Sequence, residues 1–212
     1  MIEVKQLCKK FGEQLSLDNV NLSFKQNESA IIMGQNGAGK TTLIRTILGE
    51  YIPSQGTVSI NGYDPFKNRQ EALQNIGFVP QLPPPIKLSV SELIHYAVVS
   101  SGSNKETIFD LCQKLELDVN ANLNKLFYKL SGGMKQKLLI AIALAKNPKI
   151  FIFDEPTANL DPKGRDIFYS ILNDFLEERI MIFISHRIEE VHHIVNRKIE
   201  MDLGKVILDE KI

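Results

Sequence analysis

At 212 residues and 23.9 kDa the chain has room for one large or two small domains and a sizeable core, and 43% hydrophobic against 24% charged residues excludes a disordered segment. Lys plus Arg is 25 and Asp plus Glu is 25, with no long run of like charge, which argues against a nucleic-acid footprint. The longest unbroken apolar run, Leu138 to Ala145, falls well short of the roughly 20 residues of a membrane span. The opening Met1-Ile2-Glu3-Val4-Lys5 lacks the basic start and apolar segment of a secretory signal. Cys8 and Cys112 have no metal-clamp or redox-pair spacing and read as reduced residues of a cytosolic protein.

In chain order, Val20, Leu22 and Phe24 alternate with Asn21 and Ser23, which predicts a strand of an antiparallel β layer. Val58 and Ile60, before the turn pair Asn61-Gly62, predict another. The segments 30–33, 150–153 and 180–184 are apolar on both faces, as central strands of a helix-covered parallel sheet are. The fold class is therefore α/β. Between Gln81 and Ile150 the pattern turns helical. Ser89 and Glu92 form a capping box, Ile108, Leu111, Cys112 and Leu115 repeat at helical spacing, and a helix from about Gly132 to Lys146 places Met134, Leu138, Ala141, Ile142 and Ala145 on one side. Pro83-Pro84-Pro85 and Asn147-Pro148 bound this insert. Gly204-Lys205, between two short strand-like runs, predicts a closing hairpin.

Three stretches carry chemistry. Gly34-Gln35-Asn36-Gly37-Ala38-Gly39-Lys40-Thr41 fits G-x-x-x-x-G-K-[ST] between a buried strand and a helix. Such a loop aims successive backbone N–H groups and a helix N-terminus at a polyphosphate. Lys40 would reach the β and γ phosphates, and the Thr41 hydroxyl would ligate Mg²⁺. The apolar run from Ile150 ends in Asp154-Glu155, read as the last two residues of a strand and so facing opposite sides. Asp154 suits the Mg²⁺ shell, leaving Glu155 to polarise the attacking water as general base. Leu130-Ser131-Gly132-Gly133-Met134-Lys135-Gln136 opens a helix with Ser131 as N-cap and bares a second anion-binding helix end. One chain already has one phosphate cradle, so a second makes sense if it completes a partner's site.

On these motifs the whole chain resembles the ATP-binding subunit of an ABC transporter, of a small exporter-like type. The resemblance implies a single domain over 1–212, with a P-loop core and N-terminal antiparallel β layer (1–82 and 147–212) and an inserted helical subdomain (about 83–146). It implies that Phe11 stacks on adenine and that residues Gly34 to Thr42, including Thr42 itself, hold the phosphates. Gln81, in Gly77-Phe78-Val79-Pro80-Gln81, would contact Mg²⁺ and the water, and signal to a membrane partner. Ser131, Gly132 and Gly133, with Asp161 of Asn159-Leu160-Asp161, would complete the nucleotide site, and His186 would sense the γ-phosphate. ATP and Mg²⁺ are the implied cofactors. The implied partners are a second copy or a paralogous ATPase subunit and a transmembrane permease subunit, with no nucleic acid and a location on the cytoplasmic face of the membrane. Phe11 replaces the more usual Tyr and Lys137 stands where Arg is commoner, which keep a stacking face and a charge.

The expected activity is ATP hydrolysis powering transport, with Gly132-Gly133-Met134-Lys135-Gln136 leaning toward export. The alternatives are a soluble ABC ATPase acting on ribosomes or DNA, and a GTPase or small-molecule kinase, which leaves the second helix end unexplained. Glu189 and His193, four apart, could share a helix face as metal ligands, but a solvated helix accounts for them. His95 reads as a surface or subunit-contact residue. The run from Pro83 to Ile86 reads as the start of the insert rather than a polyproline ligand.

Overall fold

A computed structural model describes residues 1–212, and the chain divides into two compact units. One comprises Met1–Ile76, Lys149–Ile152 and Leu176–Ile212, the other Gly77–Pro148 and Phe153–Phe175.

In the first unit, β1 (Ile2–Phe11) lies between β2 (Gln14–Phe24) and β4 (Gln55–Ile60), antiparallel to both. The register sets Ile2 opposite Phe24 and Ile60, and Val4 opposite Leu22 and Val58. The alternating apolar residues of three strands thus share one buried face, each large one contributing about 1.5–3 kcal/mol. The second sheet is mostly parallel. Its strands are β3 (Ser29–Met33), β5 (Ile76–Val79), β6 (Ile150–Asp154), β7 (Ile180–Ile184), β8 (Arg197–Asp202) and β9 (Lys205–Lys211), in the order β5-β6-β7-β3-β8-β9. β3 pairs in parallel with both β7 and β8, and Ala30, Ile31 and Ile32 have no exposed surface, as a strand covered on both faces must. β8 and β9 close the sheet as an antiparallel hairpin turning at Leu203-Gly204. The Arg197 guanidinium staples this edge: it binds Asp209 through two bonds of 2.7 Å, Glu28 at 3.0 Å and the Ser23 carbonyl at 2.5 Å, over the Phe24 ring. The helices of this unit are α1 (Lys40–Ile47) and the short α2 (Arg69–Leu73) and α7 (Ile188–Val191).

The second unit holds α3 (Val90–Ser101), α4 (Lys105–Lys114), α5 (Gly132–Ala145) and α6 (Pro162–Leu172). The capping box of α3 forms: Ser89 Oγ accepts from the Glu92 N–H at 3.2 Å, and the Ser89 N–H donates to Glu92 at 2.7 Å. Asn104 caps α4 by accepting from the Glu106 N–H at 2.7 Å. α5 departs from the expected single apolar side. Gln136, Ile140, Ala143 and Leu144 are buried along with Leu138, Ala141 and Ala145, whereas Met134 and Ile142 are only half-buried. Eight consecutive apolar residues leave a helix no polar face, so it becomes the central helix of its unit, packed on α4. No helix is long and apolar enough to cross a membrane.

Two further expectations are corrected. Glu155 does not continue β6: the strand ends at Asp154, and Glu155 takes a left-handed φ of 46°, so its carboxylate is directed by a turn rather than by strand alternation. Glu189 and His193 do not share a helix face because α7 ends at Val191, and no three His, Cys, Asp or Glu side chains gather in a metal-holding group.

Candidate nucleotide-binding site

The phosphate loop leaves β3 at Met33 and enters α1 at Lys40. Gln35, Asn36, Gly37 and Thr41 are exposed, Gly34 and Thr42 are half-buried, and Ala38, Gly39 and Lys40 are buried. The loop is therefore open on one side and anchored on the other. The anchors come from distant parts of the same unit. The Gly204 N–H donates to the Ala38 carbonyl at 3.1 Å, and Ser16 and Thr42 share a hydroxyl bond of 2.9 Å. A Cβ on Gly39 would lie 2.7 Å from the Ser16 carbonyl oxygen, and Gly39 has φ 102°, so only glycine fits. The Lys40 ammonium donates to the carbonyls of Gly34 at 2.6 Å and Gln35 at 3.0 Å. That arrangement satisfies a buried charge within the loop and leaves it poised where anionic oxygens would compete for it. α1 carries no acid in its first turn, nor does α5, whereas α3 and α4 carry Glu92 and Glu106 there. The positive ends of α1 and α5 thus remain unneutralised, as anion binding requires.

Phe11 ends β1 as an exposed aromatic residue, 44% accessible, available as a stacking surface. His186 follows β7 and is exposed, and the neighbouring turn is held by a 3.0 Å bond from the Arg187 N–H to Ser185 Oγ.

The second unit gathers most of the remaining site candidates. Ser131 Oγ accepts from the Met134 N–H at 3.2 Å and caps α5, while Ser131 and Gly132 are exposed and Gly133 is half-buried. Asn159 links this helix start to the glutamine loop. Its amide donates to the Gln81 carbonyl at 3.3 Å, and its side-chain oxygen lies 3.5 Å from a Cβ built on Gly132. The Gln136 amide donates to the Pro80 carbonyl at 3.3 Å from a fully buried position, so consecutive carbonyls before and at Gln81 are each held by a side chain. Asp154 is buried, Glu155 half-buried, and Asp161 exposed at the N-cap of α6 ahead of Pro162. Motif reading missed the bracing by Asn159, Gln136, Ser16 and Gly204, and the ring contact of Tyr51 on Phe11. No local pattern signals any of these, because each partner is remote in sequence.

The family described as ABC transporter matches residues 17–158. The bacitracin transport ATP-binding protein of Bacillus licheniformis is 36% identical over 211 residues, covering 98% of this chain and 68% of that protein. The phosphate import ATP-binding protein of Thermotoga maritima is 29% identical over 222 residues, covering 98% of this chain and 88% of that protein. Among solved structures, the dimeric post-hydrolysis state of an ATP-binding cassette bound to ADP and Pi superposes with a TM-score of 0.86 at 29% identity, over 100% of this chain and 98% of that one. With the family matching residues 17–158 and ATP-binding proteins 29–36% identical over 98% of its length, the chain belongs to the ABC transporter family, among its ATP-hydrolysing members.

Proposed function

We propose that this chain powers transport by separate membrane-spanning subunits at the cytoplasmic face of the membrane, works as a head-to-tail pair with two nucleotides at the interface, and drives export. The observation that carries the pairing is the second helix N-terminus: the start of α5 is capped, exposed and free of acid in its first turn, a second anion-binding helix end in a chain whose phosphate loop at Gly34–Thr42 already supplies one. The export direction is supported by the Gly132–Gln136 string.

In this reading, residues 34–42 enclose the polyphosphate, Lys40 exchanges the Gly34 and Gln35 carbonyls for the β and γ phosphates, and Phe11 carries the base. Thr41, Asp154 and Gln81 offer a hydroxyl, a carboxylate and a carboxamide oxygen, the hard donors that fit Mg²⁺. When bound, that ion neutralises phosphate charge. Glu155 accepts a proton from water as the water oxygen attacks the γ-phosphorus and the bond to the β–γ bridging oxygen breaks. His186 reports the γ-phosphate, while Ser131, Gly132, Gly133 and Asp161 serve the partner's nucleotide.

Leu82, Leu88, Tyr96 and Val99 are exposed apolar residues at the entry to and along α3. Leu88, Tyr96 and Val99 line a cleft of about 480 Å³ with Ser91, Glu92 and His95. This surface suits a short helix of the membrane subunit.

Glu155→Gln tests the reading. Turnover should fall about 10²–10⁴-fold with ATP affinity kept, and the variant should elute as a dimer with ATP and as a monomer without it. Near-normal turnover removes Glu155 as base, and a monomer at saturating ATP removes the shared site. In membranes carrying the copurifying permease, ATP-driven movement of cargo away from the ATPase side supports export, and the opposite direction refutes it.

A further inference from the structure

The Phe11 ring is held in one attitude by two neighbours, and we propose that Lys9 and Tyr51 are positioning residues that preset this ring for the purine of a nucleoside triphosphate. The proposal rests on Phe11 being the base platform. An exposed aromatic side chain at the end of a strand would ordinarily lose rotamer freedom when a base stacks on it, and that loss subtracts from affinity. Here the freedom is already restricted. The Tyr51 ring meets Phe11 edge to face, with centroids 5.2 Å apart and planes at 84°, and the Lys9 ammonium sits 4.8 Å from the Phe11 centroid. A ring polarised by a cation stacks well on an electron-rich base.

Both neighbours are themselves fixed. Lys9 Nζ donates to the Ile52 carbonyl at 2.7 Å, the Ser54 N–H to the Cys8 carbonyl at 2.8 Å, and the Lys10 N–H to Ser54 Oγ at 3.0 Å. The segment after α1 is thereby sewn to the end of β1. Its other end is tied to α1: the N–H groups of Glu50 and Tyr51 donate to the Arg45 carbonyl at 2.8 and 3.3 Å, and Arg45 pairs with Glu50 at 2.6 Å. The segment that follows the helix opening at Lys40 therefore carries the side chain that orients Phe11 and is bonded back to that helix.

The experiment compares dissociation constants of ATP and inorganic triphosphate for the full chain and its variants, with thermal unfolding as a check on folding. Tyr51→Ala and Lys9→Met should each weaken ATP three- to tenfold, leave triphosphate within twofold, and raise KM with kcat unchanged, and Tyr51→Phe should restore wild-type affinity. The chain has no tryptophan, so Phe11→Trp supplies a single indole whose emission ATP should quench. Adding Tyr51→Ala should shift the midpoint of that quench to higher ATP. If Phe11→Ala weakens ATP while Tyr51→Ala and Lys9→Met do not, the positioning role is wrong. Equal weakening of triphosphate would mean that Tyr51 acts through α1 and would overturn the proposal as well. If Phe11→Ala itself leaves ATP affinity unchanged, the base-platform reading falls first.

Discussion

Two glycines of the phosphate loop separate folding from ligand binding. A Cβ on Gly39 meets the Ser16 carbonyl oxygen at 2.7 Å, Leu17 Cδ2 at 3.1 Å and Gly204 Cα at 3.4 Å, while a Cβ on Gly37 meets nothing within 4 Å. Their φ values are 102° and 88°, so alanine is strained at either position by about 1–3 kcal/mol, partly offset by about 0.4–1 kcal/mol from a stiffer unfolded chain. Gly37→Ala should thus cost about 1–2 kcal/mol. Gly39→Ala adds an overpacking cost of about 1–3 kcal/mol, because β2 and the hairpin turn must move, giving about 2–5 kcal/mol in total. For a chain of this size each kcal/mol shifts Tm by about 2–4 °C, so Gly37→Ala should lose about 2–8 °C and Gly39→Ala a further 2–12 °C or so. Thermal unfolding without nucleotide, followed by ATP titration of the folded protein at 20 °C, measures both quantities. Gly37→Ala should stay folded yet bind ATP at least tenfold more weakly, since relieving its strain turns the loop's N–H groups off their common aim. Equal Tm losses in the two variants would refute the assignment of Gly39 to a packed anchor and Gly37 to the open side.

Three other outcomes follow from particular contacts. Arg197→Ala breaks a cluster whose guanidinium is only 12% exposed and strands Glu28 and Asp209. It should cost about 3 kcal/mol, seen as a Tm loss of about 6–12 °C, with Arg197→Lys recovering only part of it. The Glu92 carboxylate is held below its usual range, first by the bond from the Ser89 N–H and then by that from its hydroxyl. A depressed folded pKa contributes stability above the ordinary carboxylate pKa that is lost as pH falls through the folded value. Amide exchange in the first turn of α3 should therefore lose protection from mildly to strongly acidic pH, and Glu92→Gln should flatten that dependence. Ser131→Arg and Lys40→Ala should each be inactive alone, whereas mixing them should partly restore hydrolysis, because one site of a mixed pair carries both defects and the other neither; no recovery on mixing would argue against a shared site.

Much of this protein is legible in its sequence because the causes act over a few neighbouring residues. Alternation placed Val20, Leu22 and Phe24 on one buried face, the Ser89–Glu92 box started α3, and doubly apolar runs marked β3, β6 and β7 as covered strands. The glycine spacing from Gly34 to Lys40, between strand and helix, likewise announced a phosphate loop. Other features were decided only when remote segments packed together. Gly39 is obligatory because of the Ser16 carbonyl, Thr42 is tied to Ser16 across 26 positions, and Asn159 reaches the Gln81 carbonyl across 78. Glu155 looked like the next strand residue, but the chain leaves β6 one residue earlier, and a left-handed turn directs its carboxylate. α5 looked one-sided but is the central helix of its unit, since periodicity describes a side chain's place around a helix and only the surrounding elements decide how many of those faces are covered. Lys9 and Tyr51 carry no motif at all; they became partners of Phe11 because hydrogen bonds fix the segment after α1 against the end of β1, a juxtaposition that depends on tertiary packing and leaves no periodic trace in the chain.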